Sequence, residues 1–186
     1  GPFPSRRLGA SLGVNILPPG VKLCAFNCNY CQCGWTYDLV DEAVIAKHPW
    51  PEPEQVGAAL EEALKTCGKI DAITLAGNGE PTLHPDFWRV VSALGEVRDR
   101  AAPGVPLHIL TNGANLERPQ VVSGMNLLDE RHVKLDAGSE SMFMEMNNPT
   151  TDIGTWDVIR GAKKLKDCVL QAMFTRGRRD NTADRE

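Results

Sequence analysis

The sequence predicts an α/β fold built on a parallel sheet, and three observations predict it. Short β-like runs alternate with amphipathic helical stretches along most of the chain. Parallel neighbours need a crossover, which the intervening helices supply. Each chemically suggestive motif falls just after a β-like run, at the strand ends where parallel sheets bind ligands. Right-handed crossovers then wind the sheet one way, into an open doubly wound sheet or a barrel-like one. A chain of 186 residues suits one domain with a real core.

The elements follow in order. Ser11 to Leu17 reads as a strand, cut off by Pro18-Pro19-Gly20. A helix over 53–67 starts at Pro53 and carries Val56, Ala59, Leu60, Ala63, Leu64 and Cys67 at helical spacing, with Gly68 as a stop. Ile70 to Ala76 is a strand ending in a Gly-rich turn, and a second helix from near Pro85 lines up Phe87, Val90, Val91, Leu94 and Val97. Leu107 to Thr111 is a strand ending in Asn112-Gly113; a weaker helix near 116–123 leads to strand His132 to Asp136. Helices over 139–146 and 155–166 precede strand Cys168 to Phe174. Residues 1–175 read as one core domain and 176–186 as a charged, flexible tail.

Composition removes several classes. A net charge of -4 argues against a globally basic nucleic-acid binder and leaves room only for a local patch, such as Arg6-Arg7. No apolar stretch reaches the ~18 residues of a membrane span. No basic-then-apolar leader is visible, so a cytoplasmic protein is expected.

The six cysteines are Cys24, Cys28, Cys31, Cys33, Cys67 and Cys168, and the first four crowd into one short run. A disulfide framework would spread them out, so the crowding favours metal or redox chemistry. Cys67 and Cys168 read as small buried core residues. Thiolates suit zinc or iron–sulfur centres. Four ligands from Cys24, Cys28, Cys31 and Cys33 would make a zinc-stabilised binding module without turnover. Three ligands, from the C-x3-C-x2-C spacing of Cys24, Cys28 and Cys31, would leave an open coordination position, the mark of a catalytic centre. Asp136 ends Val-Lys-Leu-Asp and shares a face with Lys134. Asn112 lies in Thr-Asn-Gly, also a common turn. His108 and His132 read as packing residues and His84 as a cap or surface residue.

C-x3-C-x2-C with Tyr30 before its last cysteine, together with Ala76-Gly77-Asn78-Gly79-Glu80-Pro81-Thr82 after the second strand, resembles the signature of the radical S-adenosylmethionine superfamily. The opening residues Gly1 to Gly9 and Ser11 to Asn15, with GNGEPTLHPDF, are similar to the iron–sulfur oxidoreductase group that includes wyosine (modified tRNA guanosine) synthases. The resemblance covers most of residues 1–175.

It implies a partial (β/α)6 TIM-like barrel; with five strands read here, the barrel is expected to stop after the fifth. It also implies a [4Fe–4S] cluster on Cys24, Cys28 and Cys31, with S-adenosyl-L-methionine on the open iron. Gly77, Asn78, Gly79 and Glu80 would meet the methionine amino group, Tyr30 the adenine and Asp136 the ribose, with Asn112 in the same cofactor site. The implied enzyme cleaves S-adenosylmethionine reductively to a 5′-deoxyadenosyl radical, which abstracts hydrogen from a substrate such as a tRNA base or a peptide. A flavodoxin or ferredoxin would supply the electron. Wyosine synthases bind a second cluster through upstream cysteines; none precedes Cys24, so only the general class carries over.

Overall fold

The computed structural model describes residues 1–37 and 40–176. Apart from Arg176, the expected tail lies outside the described residues. The strands β1 (Phe3–Ser5), β2 (Gly9–Val14), β3 (Ala72–Leu75), β4 (Leu107–Thr111), β5 (Glu130–Lys134) and β6 (Val169–Gln171) form one sheet in chain order. β1 is antiparallel to β2, and every other pairing is parallel. The helices are α1 (Glu42–Lys47), α2 (Pro53–Thr66), α3 (Phe87–Ala101), α4 (Pro119–Met125), α5 (Glu140–Asn147) and α6 (Thr155–Ala162).

The five parallel strands and the helices between them match the sequence expectation. β1 and α1 are additions. β1 has three residues with Pro4 at its centre, too short for alternation to register. α1 is a single short helix whose N-terminus is held by Asp41, Oδ1 of which accepts from Val44 N at 2.8 Å. β2 ends earlier than expected because the Asn15 side chain accepts from Leu17 N at 3.0 Å and turns the chain away. The helix expected near 116–123 starts at Pro119, since residues 113–118 are occupied by turns such as Leu116 N to Gly113 O.

Helix formation follows local chemistry. α2 begins with Pro53 at its first turn and a reciprocal Glu52–Gln55 cap, then buries Val56 and Leu60. α3 buries Phe87, Val90, Val91, Leu94 and Val97, every third or fourth residue. The two helices pack against each other and against Leu12, Ile73, Leu75, Ile109 and Val133, which project from one face of the sheet. Fully burying one such side chain stabilises by roughly 1.5–3 kcal/mol.

Successive strand residues point to opposite faces. The face away from these helices is therefore the polar one, carrying Ser11, Thr74, His108, His132, Lys134 and Gln171. Ser11 Oγ meets Thr74 Oγ1 at 2.8 Å, and Gln171 Nε2 meets His132 Nδ1 at 2.8 Å across neighbouring strands. No described helix is long and apolar enough to cross a membrane.

Candidate metal and cofactor site

The loop following β2 carries the clustered cysteines across the carboxyl ends of β3, β4 and β5. Three features shape it. Asn27 clasps Thr36, donating to its carbonyl at 2.9 Å and accepting its N–H at 2.8 Å. Lys22, 9% exposed, donates to Phe26 O at 3.2 Å, Asn27 Oδ1 at 3.3 Å and Gly34 O at 2.8 Å. Phe26 packs edge-on against Phe143 of α5, ring centres 5.3 Å apart. Backbone bonds from Asn27 and Asn29 to the last turn of α5 complete the docking.

Every expected site residue meets this loop. Leu23 forms a parallel bridge with Gly79, and Glu80 N donates to Leu23 O at 2.8 Å. Cys24 Sγ accepts from Asn112 Nδ2 and from Phe26 N, both at 3.4 Å. Cys28 Sγ accepts from Asn147 Nδ2 at 3.4 Å. Cys33 Sγ lies 3.6 Å from Gly77 O. Tyr30 donates its phenol proton to Asp136 Oδ2, while Lys134 Nζ sits 3.0 Å from Asp136 Oδ1 and 5.2 Å from the Tyr30 ring centre. Asn147 Nδ2 and Met173 N also donate to Asp136, each at 2.8 Å.

In the Gly-rich turn, the space beside both glycines is taken by the protein itself. A Cβ on Gly79 would stand 1.9 Å from Leu23 O, and one on Gly77 would stand 2.2 Å from Asn15 Oδ1. The missing side chains admit the cysteine loop and the Asn15 amide. Asn78 turns its amide to Pro18 O and Val21 O and accepts from Asn15 Nδ2 at 2.9 Å. Glu80, 2% exposed, is a buried strut: Oε1 accepts from Thr82 N at 3.1 Å, Thr82 Oγ1 at 2.7 Å and Thr111 Oγ1 at 2.7 Å, and Oε2 accepts from Asn112 N at 2.7 Å. One carboxylate thus ties the end of β3 to the end of β4.

Electrostatics follow burial. The Cys24 thiol is pushed up to about 12, first by desolvation and then by the Glu80 charge. Burial also raises Cys28, opposed by the Asn147 amide, and raises Tyr30 and Glu80, the latter opposed by its four hydrogen-bond donors. A bound cationic centre would reverse this for the thiols, because a coordinated thiol is deprotonated.

All six cysteines are free. Among the described residues, the one trio of His, Cys or carboxylate ligand atoms within 4.8 Å of one another lies elsewhere, at His108, Glu130 and His132. A tetrahedral zinc–thiolate site with Zn–S near 2.3 Å would need its four sulfurs about 3.8 Å apart. A cubane spreads its sulfurs more than a single ion does, because each binds a different iron.

Lys22 and Asn147 were not anticipated from sequence. Lys22 leaves a trace, a single charge inside the apolar run Val21-Lys22-Leu23; Asn147 at the end of α5 leaves none.

Comparison with known proteins places these observations. The family model described as "Radical SAM superfamily" matches residues 20–183. The chain is 31% identical over 169 residues to UPF0026 protein MJ1312 of Methanocaldococcus jannaschii, covering 90% of this chain and 49% of that protein. It spans between 22% and 58% of the length of the curated relatives it matches. Among solved structures, TYW1 with a lysine-pyruvate adduct bound aligns at TM-score 0.59 and 17% identity, over 86% of this chain and 55% of that one. Streptococcus suis SuiB aligns at 16% identity over 90% of this chain: with S-adenosylmethionine bound (32% of that chain) at TM-score 0.58, and with precursor peptide SuiA (34%) at 0.62. These likenesses identify the fold as a partial TIM-like barrel.

Proposed function

Because the chain belongs to the radical SAM superfamily, we propose that it forms the core of an enzyme that holds a [4Fe–4S] cluster on Cys24, Cys28 and Cys31 and binds S-adenosylmethionine beside it. Such a cluster, once reduced, supplies one electron to S-adenosylmethionine, whose C–S bond cleaves to give methionine and a 5′-deoxyadenosyl radical that takes a hydrogen atom from substrate. The observation that carries the reading is the cysteine loop itself: free thiols lying over three strand ends, two of them already receiving amide N–H bonds. The donor set fits the group, since soft thiolates favour iron–sulfur centres and N–H bonds to the sulfurs tune them.

The remaining roles belong to this chain's own groups. Asn112 and Asn147 orient the Cys24 and Cys28 sulfurs. Lys22 brings a buried positive charge under the loop and offsets part of the thiolate charge. Glu80 holds the Gly77–Gly79 turn against β4, and Oε2, with one donor, keeps acceptor capacity for an ammonium. Backbone atoms of Gly77, Asn78 and Gly79 would line that amino-group site, and Tyr30 and Asp136, fixed by each other and by Lys134, its adenosine side. We take residues 1–175 as the unit that does this. A tRNA base or a peptide is the substrate class, a flavodoxin or ferredoxin the electron donor, and six free thiols suit the cytoplasm.

Anaerobic reconstitution with iron and sulfide, followed by reduction in the presence of S-adenosylmethionine, tests the proposal. A 4Fe-type spectrum and 5′-deoxyadenosine are expected, both lost in Cys28→Ala. Zinc without labile sulfide, and no 5′-deoxyadenosine, would overturn it in favour of a non-catalytic module.

A further inference from the structure

We propose that His108, Glu130 and His132 form a mononuclear site for a divalent transition-metal ion of the zinc type, separate from the cysteine loop. Packing alone does not account for His108. The residue is 4% exposed, yet neither Nδ1 nor Nε2 has a hydrogen-bond partner. Leaving a buried polar group unpartnered is costly, so its persistence asks for a ligand.

The sheet assembles the trio. Parallel pairing of β4 and β5 sets His108 opposite Glu130, and His132 lies two residues further along β5 on the same polar face. Glu130 Oε2 lies 3.7 Å from His108 Nδ1 and 3.1 Å from His132 Nε2, and all three ligand atoms fall within 4.8 Å of one another. A tetrahedral ion with bonds near 2.1 Å needs donor–donor edges of about 3.4 Å, between those two distances.

The surroundings have the form of a ligand shell. Gln171 lies 2.8 Å from His132 Nδ1. With Nε2 on a metal, Nδ1–H needs an acceptor, and the Gln171 carbonyl supplies one once its amide is rotated. Two imidazoles and a carboxylate select zinc, iron, cobalt, nickel or copper over magnesium and calcium, which prefer all-oxygen sites. The Glu130 side chain is 49% exposed while both rings are buried, so an ion enters from the Glu130 side. Three protein ligands leave a position for water or an incoming donor. The site lies near the start of β4, roughly 13 Å along the strand from Asn112.

The test is anaerobic titration of the full chain with Co2+, whose spectrum separates the two kinds of donor. The expected result, beside any thiolate-bound ion, is one Co2+ whose d–d bands come without a thiolate charge-transfer band, displaced by Zn2+. His108→Gln and Glu130→Gln should each weaken that ion by about tenfold or more, leaving any thiolate-bound ion unchanged. Glu130→Gln serves if His108→Gln does not fold, because its side chain is half exposed. The proposal is overturned if wild type shows only thiolate-bound cobalt, or if a folded variant binds the nitrogen–oxygen-bound ion as tightly as wild type.

Discussion

Tyr30 and Asp136, far apart in sequence, meet at the carboxyl end of β5: the phenol proton points at a carboxylate whose side chain is fully buried. With the Leu23–Gly79 bridge and the Asn112–Cys24 contact, this bond helps fasten the cysteine loop to the strand ends. Tyr30→Phe removes it and leaves Asp136 with Lys134, Asn147 and Met173. A hydrogen bond to a charged acceptor contributes about 1.5–3 kcal/mol, so a loss of that size is expected in urea unfolding. Unchanged stability would show that the bond does not anchor the loop.

Gly79→Ala should be far more damaging than its size suggests. The new Cβ would stand 1.9 Å from Leu23 O, and backbone on both sides must move. The bridge that seats the cysteine loop then opens, and several kcal/mol of stability is lost. Iron and sulfide per chain after reconstitution should fall to a small fraction of wild type; full retention would contradict the close approach.

Glu80→Gln separates a strut from a ligand. Its carboxylate accepts four hydrogen bonds in a buried setting, and the amide can accept only part of them. Expected are a stability loss of about 2–3 kcal/mol and weaker S-adenosylmethionine binding together. Weaker binding at unchanged stability would assign Glu80 to the ligand alone.

Lys22→Met keeps the length and removes the charge that three oxygens share. The carbonyls of Phe26 and Gly34 lose their donor, for about 2 kcal/mol or more. A reconstituted cluster should also reduce at a more negative potential, since a nearby positive charge favours the added electron. Spectroelectrochemical titration reads the shift, and no shift removes Lys22 from the electrostatics of the site.

Burial holds His108 and His132 below the ordinary histidine value of 6.5, an effect that Glu130 opposes in both and each ring's neighbours modify. In metal-free buffer the unfolded chain takes up these protons below 6.5 while the folded chain resists, so folded stability is complete above that value and falls as pH drops toward the folded pKa. Each ring that stays neutral costs up to about 1.4 kcal/mol per pH unit in that window. Urea midpoints measured from pH 7 down to pH 5 in EDTA should decline, less steeply in His108→Gln. An equal slope in the variant would show that the ring does not titrate as stated.

Much of this was legible in the chain. Periodicity marks α2 and α3 because Val56, Leu60, Val90 and Leu94 recur at the spacing of one helix face and do bury it. The cysteine spacing and the Gly77–Glu80 turn mark the candidate site because both lie in single loops directly after strands. Lengths and ends were less legible: β1 is too short to show a pattern, and β2 stops where the Asn15 side chain captures a backbone N–H.

By itself, then, the sequence determined the alternation of strand and helix, the family signature and the trio of thiols, since each is written in residues close along the chain. Only the tertiary structure decided that Gly79 yields its space to Leu23, that Glu80 braces two strand ends, that Asn147 reaches Cys28, and that His108 meets Glu130 and His132. The physical reason is common to all four. These partners become neighbours through loop docking and strand register, and neither is encoded by the spacing of either partner alone.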